Sequence, residues 1–268
     1  MSFMIKDMAG KSYWDSRWES ILFPASLNPY HPGPEHYVDR KFHDYFRWVF
    51  SRKETKDKKL LEIGCARSIW LPYFAKEFGF KIYGIDYSEI GCQQALQILS
   101  NEGVKGDIVC GDFFTPSESM IEEFDVVVSF GVLEHFEDTE GCLLAFSRFL
   151  KEKGVMITNI PNLMGLLGLI QRLINRNAFN AHIPLSRESI LKAHQRNMLS
   201  PVSCDYFLMA NFGVLNFDNL RNTFVYDFVL QTFCWLNRII WSLEKIVPVK
   251  PNRWSSPYIN CVATKRQK

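Results

Sequence analysis

Three residues in a short span have the types and spacing to bind a nucleoside-like ligand. The segment Leu61-Glu62-Ile63-Gly64-Cys65-Ala66-Arg67-Ser68 places an acid, an apolar residue, then glycine and small residues in a row. That pattern makes a tight strand-to-helix turn with free backbone N–H groups and room for a ligand to approach. Asp86 follows Gly64 by 22 residues and ends a second apolar run, Lys81–Ile85. A carboxylate there accepts hydrogen bonds from ribose hydroxyls, so adenosine recognition is the leading chemistry. A dinucleotide site requires Gly-x-Gly-x-x-Gly with a pyrophosphate on a helix N-terminus. Here Ala66 and Ser68 stand at the other small positions, and Glu62 would repel a pyrophosphate. A carboxylate at Glu62 suits the cationic end of a ligand instead.

The elements that must position these residues follow from periodicity. Lys59–Ile63, Lys81–Ile85, Asp107–Cys110, Phe124–Ser129 and Val155–Asn159 read as strands, and 69–79, 88–102 and 139–151 as helices. Ser88 is an N-cap candidate, as are Ser186 and Ser189 after Pro184. Strands alternating with helices specify a Rossmann-like, doubly wound parallel sheet with right-handed crossovers. Tyr206–Leu215 is expected as a sixth strand and Tyr258–Thr264 as the last. Four units result: a helical, aromatic-rich cap over 1–52, a ligand-binding core over 53–215, a helical insertion over 216–257, and the last strand with its tail over 258–268. In the insertion Leu220, Phe224, Phe228, Trp235, Ile239, Leu243 and Ile246 keep helical spacing, widened by Phe233, Ile240 and Trp241.

At this point the sequence resembles the class I S-adenosylmethionine-dependent methyltransferases, over residues 59–159 with a fainter continuation to 264. The resemblance implies a seven-stranded sheet whose last strand is antiparallel. It sets Gly64, Cys65 and Ala66 against the methionine part of the cofactor, with Glu62 near its ammonium. Asp86 matches the ribose-binding acid, with Tyr87 against adenine. Gly111-Asp112-Phe113 matches the third-strand motif, Asp112 accepting from the adenine amino group and Phe113 flanking the ring. Ser129-Phe130-Gly131 matches the loop after strand four, whose backbone touches the methionine portion. Ala66 and Ser68 depart from the family's glycines but are small.

Methyl transfer asks the protein to align the acceptor and manage a proton. His135 is the histidine within these motifs and the candidate general base; the alternative is that it hydrogen-bonds the loop. Glu62 and Asp86 could otherwise cap strand ends. Arg67 is expected as a solvated helix-start residue. His31, His36 and His43 have no metal-ligand spacing, so no metal is expected. Asn28-Pro29-Tyr30 imitates an amine-binding motif of related enzymes, but precedes the first strand where that motif follows the fourth, which disfavours nucleobase methylation.

Composition narrows the partners. With 31 Lys+Arg against 29 Asp+Glu the formal charge is +2, giving little field for nucleic acid, so none is expected. Seven scattered cysteines without a Cys-x-x-Cys pair suggest neither disulfides nor structural zinc, and the N-terminal residues lack a secretory apolar stretch. A cytoplasmic setting is the expectation. Aromatic residues are 15% of the chain, concentrated in 1–50 and 206–258. Tyr13 and Trp14 are therefore expected to touch a small, partly apolar or aromatic acceptor, methylated at oxygen or nitrogen. The insertion is read as a lid, a homodimer seam or a peripheral membrane contact. Two alternatives stand beside this reading: a catalytically silent cofactor-binding or interaction protein, and an NAD-dependent oxidoreductase.

Overall fold

Period-two alternation in β1 (Lys59–Ile63) sends its side chains to two different cores, which forces helices onto both faces of the sheet. Leu61 and Ile63 pack with Phe146, Phe149, Ile190 and Ala193. Leu60 packs on the opposite face with Phe46, Phe74 and Leu99. The computed structural model describes residues 5–20, 23–221, 223–244, 246 and 249–267, and the expected cap, insertion and tail each include residues outside these.

In chain order the elements are α1 (Lys11–Ser20), α2 (Tyr37–Phe50), β1, α3 (Trp70–Phe78), β2 (Lys81–Asp86), α4 (Glu89–Asn101), β3 (Gly106–Cys110) and β4 (Phe124–Phe130). They continue with α5 (Thr139–Phe149), β5 (Leu150–Pro161), α6 (Leu166–Ile174), α7 (Arg176–Asn180), α8 (Arg187–Arg196), β6 (Leu199–Phe207), α9 (Tyr226–Glu244) and β7 (Tyr258–Lys265). The sheet order is β3-β2-β1-β4-β5-β7-β6, with β7 antiparallel to both neighbours and the first five strands parallel. The expected doubly wound architecture and antiparallel last strand are both present. Strand order reverses between β1 and β4, so the crevice at their carboxyl ends is the topological switch point where such sheets bind ligands.

The sixth strand departs from expectation. It spans Leu199–Phe207, not Tyr206–Leu215. As the edge strand paired only with β7, it carries Ser200, Ser203 and Asp205, and Pro201 sits at its bulge, so its sequence lacks a continuous apolar run. The run beyond it turns at Leu208, whose φ is 62°, and at Phe212–Val214, where the Asn211 side chain accepts from Gly213 N–H at 2.9 Å. Elsewhere capping follows the sequence: Ser88 accepts from Gly91 N–H at 3.0 Å, and Ser186 and Ser189 form a reciprocal capping box.

The insertion docks by the widened edge of its apolar stripe: Phe233 stacks on Phe217 at 5.4 Å, and Ile240 and Trp241 pack against Tyr37 and Leu208. Trp241 stacks on Tyr37 at 4.7 Å and donates Nε1–H to the Ala210 carbonyl at 2.8 Å, while Lys41 pairs with Glu244 at 2.9 Å. Phe224, Phe228, Trp235, Leu243 and Ile246 stay exposed. Among the described residues no helix is long and apolar enough to cross a membrane.

Candidate cofactor and acceptor site

The turn after β1 hangs on β2 and leaves no room for a side chain at its first position. Gly64 has φ +77°, and a Cβ there would lie 2.3 Å from Val132 Cγ2. Its N–H donates to the Ile85 carbonyl at 2.9 Å, and Ala66 N–H donates to Asp86 Oδ2 at 3.1 Å. Glycine therefore answers both a left-handed backbone and a close approach. Ser68 explains one departure from a glycine-rich turn: its hydroxyl accepts from Trp70 and Leu71 N–H, both at 3.1 Å, and donates to Glu62.

Two carboxyl groups face the resulting crevice. Glu62 is buried, and burial, offset by the Ser68 hydroxyl and reinforced by Asp86, pushes its pKa up to about 8. Asp86 is raised to about 6, chiefly by burial, with Ser88 and Ala66 N–H groups opposing the rise. Its Oδ1 accepts from Ser88 N–H at 2.8 Å. Tyr87 donates its hydroxyl to Asp7 at 2.8 Å.

These groups line one cavity of about 260 Å³. Glu62, Gly64 and Ala66 form its floor with Asp86 and Tyr87, and Phe113, Phe130, Gly131 and His135 complete the sheet side. Trp14 closes it from α1 together with Trp18, stacked 5.2 Å apart. Four expected positions lie outside the lining. Cys65 is wholly buried beneath the turn, Ser129 is 1% exposed behind it, Tyr13 stands edge-on to Trp14 at 5.1 Å, and Asp112 is exposed. Asp112 accepts from Phe114 N–H at 2.8 Å, so its carboxylate is turned onto its own loop.

The lining also includes residues that spacing did not single out. Asp7 arrives on the N-terminal segment, which bridges to Phe136, with Met8 N–H donating to the His135 carbonyl at 2.8 Å. Trp18 brings a buried Nε1–H that has no partner. Arg67 is 6% exposed and bonded to the Trp18 carbonyl at 3.3 Å, a correction to its expected solvated place: α1 covers it. The sequence signal for α1 was its density of aromatics, Tyr13, Trp14 and Trp18.

His135 sits in a 3₁₀ turn after β4 (Leu133–His135). Its Nδ1–H donates to the Ala181 carbonyl at 2.7 Å, its ring meets Trp14 edge-on at 5.1 Å, and His182 lies 4.3 Å away between ring centres. Burial first, then His182, lowers its pKa to about 3, so the ring is neutral at ordinary pH.

The donor set fits S-adenosylmethionine: a buried carboxyl for the ammonium, a side-chain-free approach at Gly64, a second carboxyl for the ribose, and aromatic walls for the adenine. A sequence profile described as "Methyltransferase domain" matches residues 35–198. EEF1A lysine methyltransferase 2 from Danio rerio is 26% identical over 133 residues, 49% of this chain and 56% of that protein. Ubiquinone biosynthesis O-methyltransferase from Pseudomonas fluorescens (strain SBW25) is 30% identical over 117 residues, 43% of this chain and 49% of that protein. The chain thus spans about half the length of these curated relatives. Phosphoethanolamine N-methyltransferase 2 from Haemonchus contortus, solved with S-adenosyl-L-methionine, superposes with TM-score 0.59 at 16% identity, over 97% of this chain and 59% of that one. With the profile covering more than half its length and the fold in agreement, the chain belongs to the methyltransferase domain family, whose cofactor is S-adenosylmethionine.

Proposed function

We propose that this protein transfers the methyl group of S-adenosylmethionine to an oxygen or nitrogen of a small, partly apolar or aromatic molecule. The observation that carries the reading is that Glu62, Gly64 and Asp86 line one cavity together with His135, Trp14 and Trp18. The cofactor supplies an activated methyl group on a sulfonium. Glu62 would hold the ammonium and Asp86 the ribose hydroxyls, while Gly64 admits the methionine chain. Trp14 and Trp18 exclude water and offer a flat apolar surface to the acceptor. His135, held as the Nδ1–H tautomer by Ala181, offers its Nε2 lone pair to the acceptor's side of the cavity. With a pKa near 3 it is a weak base, better suited to orienting an acceptor than to storing its proton.

Incubation of the full chain with methyl-labelled S-adenosylmethionine, phenols and amines tests the reading. Label in a small molecule supports it. Label in protein lysines supports the second reading, favoured by the similarity to EEF1A lysine methyltransferase 2. Label remaining on the cofactor supports a silent binder.

Among the described residues of 216–257 none lines the cavity, and its exposed Phe224, Phe228 and Trp235 favour a contact role, with a membrane surface or a second copy, over a lid. Flotation with liposomes and sedimentation separate the two. The seven free cysteines support a cytoplasmic setting.

A further inference from the structure

Behind the cavity wall at His135, buried Glu134 and partly buried His182 carry lone pairs that methyl transfer leaves unused, beside the Nε2 of His135 itself. Glu134 is 1% exposed, and its Oε2 has no hydrogen-bond partner. A buried carboxyl oxygen without a donor is costly and calls for an explanation. His135 donates Nδ1–H to the Ala181 carbonyl at 2.7 Å, and His182 donates Nδ1–H to the Ala178 carbonyl at 2.6 Å. A carbonyl only accepts, so both rings are the same tautomer, with Nε2 deprotonated. One oxygen of Glu134 and one nitrogen of each histidine lie within 4.8 Å of one another, yet no hydrogen bond joins any pair of the three.

We propose that Glu134, His135 and His182 form a divalent metal site bordering the cavity at His135, with Nε2 of each histidine and the unpartnered Glu134 oxygen as ligands. Ligands about 2.0–2.2 Å from one ion stand roughly 3–3.5 Å apart, so small side-chain rotations complete the set. Two imidazoles and a carboxylate without a thiolate suit zinc or another first-row divalent ion over calcium or magnesium. Backbone carbonyls on both Nδ1–H groups are the outer-shell partners that fix ligating histidines. Three protein ligands leave a position open, and His135, the ligand that lines the cavity, is the side from which an acceptor would reach it.

The ion's presence stands on this geometry alone; its role rests on the proposed methyl transfer. It would hold the acceptor oxygen and acidify its hydroxyl, whose proton leaves to water. The C–S bond then breaks as the C–O bond forms, and sulfur keeps the electron pair. The site departs from the expectation of no metal, which weighed only His31, His36 and His43.

The test uses the metal-stripped full chain titrated with Zn²⁺ by calorimetry and with Co²⁺ by visible absorption. One ion per chain is expected in the wild type. Glu134→Gln and His182→Gln should each weaken binding by about 100-fold or more, since losing even an outer-shell partner costs roughly 10–100-fold. S-adenosylhomocysteine affinity serves as the folding control and should stay within about 3-fold in both variants. The exposed cluster of His31, Glu35 and His36 is the competing site, so His36→Gln should leave the Co²⁺ spectrum unchanged. Absence of binding to the wild type, equal affinity in Glu134→Gln and His182→Gln, or loss of binding in His36→Gln alone overturns the proposal. Wild-type stoichiometry decides even if a variant does not fold. Metal binding without S-adenosylhomocysteine binding would leave the metal site standing while the cofactor reading fails.

Discussion

The two ends of the cavity are built in opposite ways. The cofactor end comes from the carboxyl edges of neighbouring strands, β1 and β2, and each buried carboxyl there has a donor: Ser68 for Glu62, and Ala66 and Ser88 N–H for Asp86. The wall at His135 is assembled from α1, the turn after β4 and the segment following α7, and behind it the buried carboxyl of Glu134 has an oxygen with no donor. One end is organised before any ligand arrives; the other holds unsatisfied groups, as a site that must receive something does.

Breaking the cofactor end should have the largest effect. Gly64→Ala must fit a Cβ 2.3 Å from Val132 at φ +77°, so S-adenosylhomocysteine affinity should fall by about 100-fold or more, read by calorimetry. Relieving the contact with Val132→Ala should restore only part, because the backbone strain remains. Asp86→Ala removes the ribose acceptor and strands two N–H groups; a loss of roughly 10–100-fold is expected from the about 1.5–3 kcal/mol of a charged hydrogen bond.

The carboxyls also give a pH signature. Asp86 rises from 3.8 to about 6 and Glu62 from 4.5 to about 8 in the folded chain. A raised folded pKa means that the folded state holds protons the unfolded chain has released. These two groups therefore stabilise the apo fold least at high pH, their contribution declining from about pH 4 to about pH 6 for Asp86 and to about pH 8 for Glu62. Cofactor binding uses the ionised forms, so affinity should rise over pH 6–8 while the apo melting temperature falls. Parallel changes in both would show that other groups control the site.

The smallest effect on the site should come from the insertion. Trp241→Ala removes the Tyr37 stack and the bond to Ala210, and should cost about 3–5 kcal/mol in denaturant unfolding. It should leave S-adenosylhomocysteine affinity within about 2-fold, because no described residue of 216–257 lines the cavity.

The same contrast governs what could be read from sequence. Glu62, Gly64 and Asp86 were legible because strand ends recur at spacings that follow from the sheet itself, and β1 begins and ends where the apolar run does. Edge strand β6 was misplaced because a strand with one neighbour tolerates proline and polar residues. His182 gave no local signal: it lies 47 residues beyond His135 and meets it only through the packing of the chain around α7. Trp18 and Asp7 were hidden for the same reason: α1 has no buried residue of its own and gains its place by covering the cavity, and Asp7, on the segment before it, is placed by its bridge to Phe136. The stripe in 216–257 followed helical periodicity, and the part of it that docks is the edge with Phe233, Ile240 and Trp241, joined by Asn237, which accepts from Phe212 N–H.

The most direct test of the account is the fate of a labelled methyl group. Given methyl-labelled S-adenosylmethionine and a small-molecule extract, the full chain should produce S-adenosylhomocysteine and a labelled small product, and Gly64→Ala should produce neither at a comparable rate. Label that stays on the cofactor, or appears only on protein, would contradict it.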